Sequence, residues 1–350
     1  MTILFLYTEI AEYFVKCCEA LPKDDAVHII RWPVNKEAPF VFSFNEKIKV
    51  YDKNKFTYLE LEKLIQKINP SIIICSGWID KDYLKLTKPY YGKIPTVLTC
   101  DTHWTGSLKQ RLAIVLSRLF LLNTFSFAWV PGNSQKNYVK KLGFKKEKIK
   151  KGFYCCDLEK FNSVFSSQTE LKKNQFPKRF LFVGRYYNFK GVAELWDAFI
   201  QIQKETPNEW ELWCLGVGSI EPVKHEKIKH FGFVQPANLS DILKDVGVFV
   251  LPSLFEPWGV VVQEYAAAGF PLVTSKAVGA NETFLLENQN GFSFEPNNIE
   301  ELKETLKKII TLNNAQLYEM SLKSHEVAQK INHQSLTQTI LEIYDEFNSK

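Results

Sequence analysis

Two glutamates, Glu256 and Glu264, and two cations, Arg185 and Lys190, are the residues whose types and spacing could do chemistry together. The glutamates lie in the stretch 249–291, FVLPSLFEPWGVVVQEYAAAGFPLVTSKAVGANETFLLENQNG. A helix is expected from Gly259 to Ala268, and eight residues at helical rise span roughly 12 Å, or on the order of 10 Å with a partly non-helical start. The carboxylates of a retaining glycosidase sit about 5 Å apart, and those of an inverting one below about 10 Å. Glu256 and Glu264 are therefore poorly spaced to flank one bond. They could instead accept hydroxyl hydrogen bonds at two ends of a long polar ligand, or be ordinary surface glutamates. Arg185 and Lys190 share a loop between a strand end and a helix start, where backbone amides favour an anion and Arg offers a bidentate fork. Two cations there suit a diphosphate better than a single carboxylate, unless both are solvated surface charges.

The elements that must position these residues are read from apolar runs and breakers. Strands are expected at 180–183, 210–215, 228–234, 246–251 and 271–274, with helices at 192–204, 239–245 and 259–268. Loops 184–191, 252–258 and 279–282 then fall at strand ends, where open α/β sheets bind ligands. The first half shows the same alternation, with strands at 2–7, 26–31, 70–76, 95–100 and 127–130 and helices at 11–21, 59–68 and 135–142. Residues 35–60 show only short alternating stretches, 299–311 reads as a helix, and about 314–347 as one long helical region. The polar stretch 163–178 lacks periodicity and reads as a linker. The expected division is a first domain at 1–165, a linker at 166–178 and a second domain at 179–330, with a helix at about 331–350 packing back on the first.

A chain of 350 residues, 45% hydrophobic and 24% charged, has the composition of a soluble globular protein of two domains. The N-terminus lacks a basic region and cleavage site, and no run reaches the ~20 apolar residues of a membrane span. Seven Cys without CxxC or His-Cys spacing point to a reducing compartment, so a cytoplasmic location is expected. Residues 1–165 hold 26 Lys+Arg against 16 Asp+Glu, whereas 166–350 hold 18 against 23, so the first half should meet an anionic partner. The apolar segment 108–122, interleaved with Lys109, Arg111 and Arg118, has two readings: a packed core helix, or a helix lying in an anionic membrane interface. No nucleic-acid motif accompanies the charge, and no nucleic-acid partner is expected.

The second half resembles the C-terminal domain of family 4 retaining glycosyltransferases (glycosyl transferases group 1), which have the GT-B fold. The matching pieces are Phe182-Val183-Gly184-Arg185 with Lys190-Gly191, Gly216-Val217-Gly218, and Phe231-Gly232-Phe233-Val234. The most specific is Ser253-Leu254-Phe255-Glu256-Pro257-Trp258-Gly259 through Glu264 to Pro271, which contains the family's Glu-x7-Glu pattern. The resemblance covers 180–295 well and the first half weakly. It implies an α/β protein of two Rossmann-like domains facing across a cleft, and a nucleoside-diphosphate sugar as donor. Arg185 and Lys190 would hold the diphosphate and stabilise the leaving charge, Glu264 would bind the ribose, and Glu256 the transferred sugar. Backbone amides of Trp258, Gly259 and Val260 would lie near the sugar and β-phosphate, and Phe233 and Val234 would line the base. His103 sits where family members often place a His near the sugar. The resemblance further implies a metal-independent hexosyl transfer with no cofactor, to a glycan or lipid-linked acceptor, and suggests bacterial surface polysaccharide or lipopolysaccharide synthesis.

Two features depart from the pattern or compete with it. Thr8-Glu9-Ile10-Ala11 replaces the family's Gly-rich loop after the first strand, and Asp80-Lys81-Asp82 has a metal-binding DxD spacing yet reads as a helix start. A GT-B-fold nucleotide-sugar epimerase and a non-catalytic nucleotide-sugar-binding protein are the alternatives. A hydrolase is disfavoured by the separation of Glu256 from Glu264.

Overall fold

The computed structural model describes residues 1–35 and 42–349. The chain forms two compact units, Met1–Cys155 with Ile331–Lys350, and Cys156–Lys330. In chain order the first unit carries β1 (Thr2–Tyr7), α1 (Glu12–Glu19), β2 (Ala26–Arg31), β3 (Ile48–Asp52), α2 (Tyr58–Ile68), β4 (Ile72–Ser76), α3 (Lys81–Thr87), β5 (Thr96–Thr99), α4 (Leu108–Phe120), β6 (Phe127–Val130), α5 (Asn133–Lys141) and β7 (Ile149–Lys151). The second continues with α6 (Leu158–Asn174), β8 (Arg179–Val183), α7 (Val192–Glu205), β9 (Glu211–Leu215), β10 (Ile228–Gly232), α8 (Leu239–Leu243), β11 (Val248–Leu251), α9 (Val260–Ala267), β12 (Leu272–Ser275), α10 (Asn281–Phe284), β13 (Gly291–Phe294), α11 (Ile299–Thr311) and α12 (Asn314–Ala328). The last helix, α13 (His333–Asn348), returns to the first unit.

Each unit is built on one parallel sheet. The strand order is β3-β2-β1-β4-β5-β6-β7 in the first and β10-β9-β8-β11-β12-β13 in the second. Both orders reverse beside their first strand, between β1 and β4 and between β8 and β11. The central strands are apolar throughout because helices cover both faces: Ile72, Ile73 and Ile74 of β4 and all of Val248–Leu251 in β11 have no exposed surface.

Several expectations are corrected. The stretch 163–178 is not an extended linker, since α6 occupies it up to Asn174, capped by Asp157, whose side chain accepts from the Lys160 amide at 3.2 Å. Its apolar residues are sparse because buried polar groups do part of the packing: Gln168 donates to the Leu243 carbonyl and Lys172 to the carbonyls of Ala268 and Gly269. The division between units accordingly falls at Cys155/Cys156 and not at 165. The long C-terminal helical region is two helices, broken where the chain passes from one unit to the other, and Asn332 caps the second by accepting from the Ser335 amide at 2.9 Å. The third strand of the second sheet stops at Gly232, whose φ of 71° ends the extended run and leaves Phe233 and Val234 in the following loop. Residues 36–41 of the mixed stretch 35–60 lie outside the described residues, and the remainder contains β3 and the start of α2.

Candidate active site

The second unit gathers its chemistry at the strand-order reversal. Arg185 stands two residues beyond β8, Lys190 closes a 3₁₀ turn (Asn188–Lys190), and Glu256 lies in the loop after β11. The ammonium of Lys190 pairs with the carboxylate of Glu256, with side chains only 19% and 13% exposed. The Ser253 hydroxyl, fully buried, donates to the same carboxylate oxygen at 3.4 Å. A pair so removed from water holds its geometry, because separating either charge would leave the other desolvated and unpartnered.

Backbone contacts fix the two loops to each other. The Phe189 carbonyl accepts from the amides of Leu254 at 2.8 Å and Phe255 at 3.3 Å. Gly191 has φ 67°, and a Cβ there would lie 2.1 Å from the Pro252 carbonyl oxygen, so only glycine permits this approach. The loop after β12 joins them, since the Gly279 amide donates to the Glu256 carbonyl at 3.0 Å. Asn281 braces that loop by accepting from Thr274 Oγ1 and donating to the Ser275 carbonyl, both at 2.8 Å. Ser253 and Asn281, which fall within stretches quoted from the sequence, and Thr274, which sequence did not single out, thus support the site without a role having been expected of them. Their signal is weak, because a small polar residue after a buried strand is common in any loop.

Two helices start here, α7 after Gly191 and α9 after Gly259, and neither N-terminus is capped by a side chain. Glu194 already occupies the first turn of α7, whereas α9 has no acidic residue in its first turn, so α9 is the more receptive to an anion. The opposite end of α9 is held firmly. Its last carbonyls accept from His325 Nδ1 at 2.7 Å (Ala267) and from Lys172 Nζ at 3.3 Å (Ala268), and the Gly269 carbonyl accepts from Lys172 Nζ at 2.8 Å. Burial holds the Lys172 ammonium well below the usual lysine range. Glu264 lies on α9, about 6 Å along the axis from Val260 at helical rise, while Glu256 precedes the helix in its loop. The two glutamates therefore belong to different parts of one scaffold. Trp258 is buried against Phe284, at 6.2 Å between ring centroids, which fixes the backbone leading into Gly259 and Val260.

Beside the site, Tyr186 is buried against β9 and pairs with His230 Nδ1 at 3.1 Å. His230 Nε2 reaches the Val223 carbonyl at 3.0 Å. A carbonyl only accepts, so Nε2 carries the proton and Nδ1 accepts from the tyrosine. Burial lowers the pKa of His230, consistent with this neutral form.

His103 belongs to the first unit, in the loop after β5, and burial lowers its pKa as well. Its carbonyl accepts from Gln110 Nε2 at 2.7 Å. Asp80 caps α3, accepting from the amides of Asp82 at 2.9 Å and Tyr83 at 3.2 Å, from Trp32 Nε1 at 2.6 Å and from Lys53 Nζ at 2.7 Å. Burial pushes its carboxyl up, but hydrogen bonds from Lys53, Trp32 and the Tyr83 amide outweigh that and leave it below the ordinary range. Asp80-Lys81-Asp82 is thus a helix start tied to Lys53, whose Nζ also lies 2.9 Å from Asp82.

At this reversal an ion pair and an uncapped helix N-terminus thus stand together. Residues 177–312 match the family Glycosyl transferases group 1. The chain is 30% identical over 179 residues to an uncharacterized glycosyltransferase of Haemophilus influenzae, covering 48% of this chain and 50% of that one. It is 29% identical over 143 residues to a glycogen synthase of Mycobacterium tuberculosis, covering 38% and 34%. The chain therefore spans half or less of the length of these curated relatives. Among solved structures, the Anabaena protein HepE in complex with UDP superposes with a TM-score of 0.70 at 17% identity, over 98% of this chain and 99% of that one. That likeness shows the fold: two Rossmann-like units of GT-B type. The group 1 match contains Arg185, Lys190, Phe233, Val234, Glu256, Trp258, Gly259, Val260 and Glu264, and leaves His103 outside.

Proposed function

We propose that the protein is a family 4 glycosyltransferase that moves a sugar from a nucleoside-diphosphate donor to a glycan or lipid-linked acceptor, with retention at the anomeric carbon. The observation that carries this reading is the Lys190–Glu256 pair at the β8/β11 reversal, within the segment matching group 1. At rest the carboxylate neutralises the lysine. When donor enters, its diphosphate lies against Arg185 and the paired Lys190, beside the N-terminus of α9, and Glu256 accepts hydroxyls of the transferred sugar. Glu264 takes the ribose, and Phe233 and Val234 line the base. Amides of Trp258, Gly259 and Val260 lie near the sugar and β-phosphate. His103, neutral at pH 7, is assigned to the acceptor side. As the sugar–phosphate bond breaks, negative charge grows on the departing diphosphate, and cations fixed beforehand stabilise it more than they stabilise the ground state. The acceptor proton goes to that phosphate on the face it leaves.

The reaction uses no metal and no cofactor. Relatives that are transferases, and the presence of both glutamates and both cations, favour transfer over a nucleotide-sugar epimerase or a silent binding protein. The setting is cytoplasmic, at the surface of an anionic membrane, in bacterial surface polysaccharide or lipopolysaccharide synthesis. The test is incubation with labelled nucleotide sugars and a bacterial membrane extract. Transfer should persist in EDTA, and release of an epimerised free sugar without acceptor would overturn the reading.

A further inference from the structure

The helix α4 packs Ala113 and Ile114 against the core of its unit but turns most of its apolar surface outward. Its exposed apolar residues are Leu108 (78%), Leu112 (64%), Val115 (71%), Leu116 (47%), Leu119 (62%) and Phe120 (59%), while Gln110 and Ser117 are buried. The polar side chains face inward because irregular backbone there needs partners. Gln110 accepts from the Thr105 amide at 2.7 Å, and Ser117 donates to the Leu142 carbonyl at 2.7 Å. At about 100° per residue, Leu108, Leu112, Val115 and Leu119 fall within an arc of about 60°, with Leu116 and Phe120 widening it on one side. Exposed cations accompany the stripe, Arg111 and Arg118 along one edge and Lys109 on the other side, between Leu116 and Phe120.

We propose that α4 seats the protein on an anionic lipid surface, its leucine stripe lying in the acyl boundary and its cations reaching the headgroups. This rests on the reading of the protein as a transferase working at a membrane, and it assigns the face that does so. At 13 residues, α4 is about 20 Å long, too short for a hydrocarbon core of about 30 Å, so it lies flat. No described helix is long and apolar enough to cross a membrane. Charge selects the occupant. Residues 102–146 contain Lys109, Arg111, Arg118, Lys136, Lys140, Lys141, Lys145 and Lys146, and no Asp or Glu. Part of this charge is gathered on and beyond α5: burial and then Lys151, Lys140 and Lys146 push the Lys136 ammonium down. The Ser117–Leu142 bond ties α4 to the end of α5. A second copy docked on this stripe would bring the same cations against these, whereas anionic headgroups neutralise them and accept arginine and lysine side chains that snorkel from an apolar stripe.

The experiment is flotation of the full chain with vesicles of phosphatidylcholine alone or mixed with phosphatidylglycerol. Wild type should bind the mixed vesicles about tenfold or more tightly than the neutral ones. The double variant Leu112→Glu/Leu119→Glu, which replaces exposed residues, should lose that binding by about tenfold or more while keeping its circular dichroism. Arg111→Glu/Arg118→Glu should lose the preference for anionic lipid. Equal binding by wild type and Leu112→Glu/Leu119→Glu would overturn the proposal. So would a wild type that ignores vesicles and sediments as a dimer that the leucine variant splits. Nucleotide-sugar binding, measured on the same proteins, should be unchanged by the α4 variants. Its absence in wild type would count against sugar transfer and leave the vesicle result standing.

Discussion

At the reversal of the first sheet, Thr8 and Ser76 meet through hydroxyls 3.1 Å apart; at the reversal of the second, Lys190 and Glu256 meet as an ion pair. The strand order around the two points is the same. What differs is the loop chemistry. After β1 the chain runs Thr8-Glu9-Ile10-Ala11 without glycine, and Tyr83 donates its hydroxyl to the carbonyls of Tyr7 and Ile30, both at 3.0 Å, closing the ends of β1 and β2. After β8 the glycine at 191 brings its backbone against that of Pro252, and a cation, a carboxylate and an uncapped helix are left at the strand ends. One topology therefore serves as scaffold in one unit and as candidate active site in the other.

The strongest way to break this comparison is to remove charge from one reversal and polarity from the other. Lys190→Ala or Glu256→Gln should lower sugar transfer by about 10²–10³-fold, the scale of losing one preorganised electrostatic contact. Thr8→Val should cost less than about tenfold, since it removes a neutral hydroxyl; comparable losses at both points would erase the distinction. Thermal melts of the same variants separate lost chemistry from lost folding.

A smaller effect is expected from glycines. Gly191→Ala places a Cβ 2.1 Å from the Pro252 carbonyl oxygen, whereas Gly77, at φ 70° beyond β4, has nothing within 4 Å of that position. Gly77→Ala should cost about 1–2 kcal/mol from its left-handed backbone alone. Gly191→Ala should cost more than that, read by urea unfolding, and should weaken donor binding as well. Equal costs would mean that the loop after β8 is not held against Pro252.

The mildest difference concerns pH. His28 and His103 in the first unit and His230 in the second all have pKa values lowered, chiefly by burial. The unfolded chain then binds more protons than the folded one, so stability is complete above the ordinary histidine value of about 6.5 and declines as pH falls toward the lowered values. Urea midpoints taken between pH 7.5 and 5.5 should drop, and His230→Gln should flatten the slope. A slope unchanged by that substitution would assign the effect to the first unit.

The second unit was the more legible in sequence because its site is written in residue types that have few other uses together: glycines at a strand end, two cations in one loop, and glutamates eight apart. The alternating strands and helices were readable in both units, since parallel strands buried on both faces become uninterrupted apolar runs. Where partners are distant in sequence, reading stopped. Lys172 and Gln168 make α6 a packed helix only because Ala268, Gly269 and Leu243 offer carbonyls to them, and nothing near residue 170 announces this. The apolar run 108–122 with its interleaved cations left open whether its apolar side chains pointed inward or outward. Gln110 and Ser117 decide that, by bonding to the backbone of residues 103, 105 and 142.

The most direct test of the central claim is the rate of sugar transfer by wild type, Lys190→Ala and Glu256→Gln, measured beside each protein's dissociation constant for the donor. Transfer in the variants should fall by about 10²-fold or more, and by a larger factor than donor binding, because the cation acts most strongly as the phosphate charge develops. Variants that transfer sugar at the wild-type rate would contradict the account.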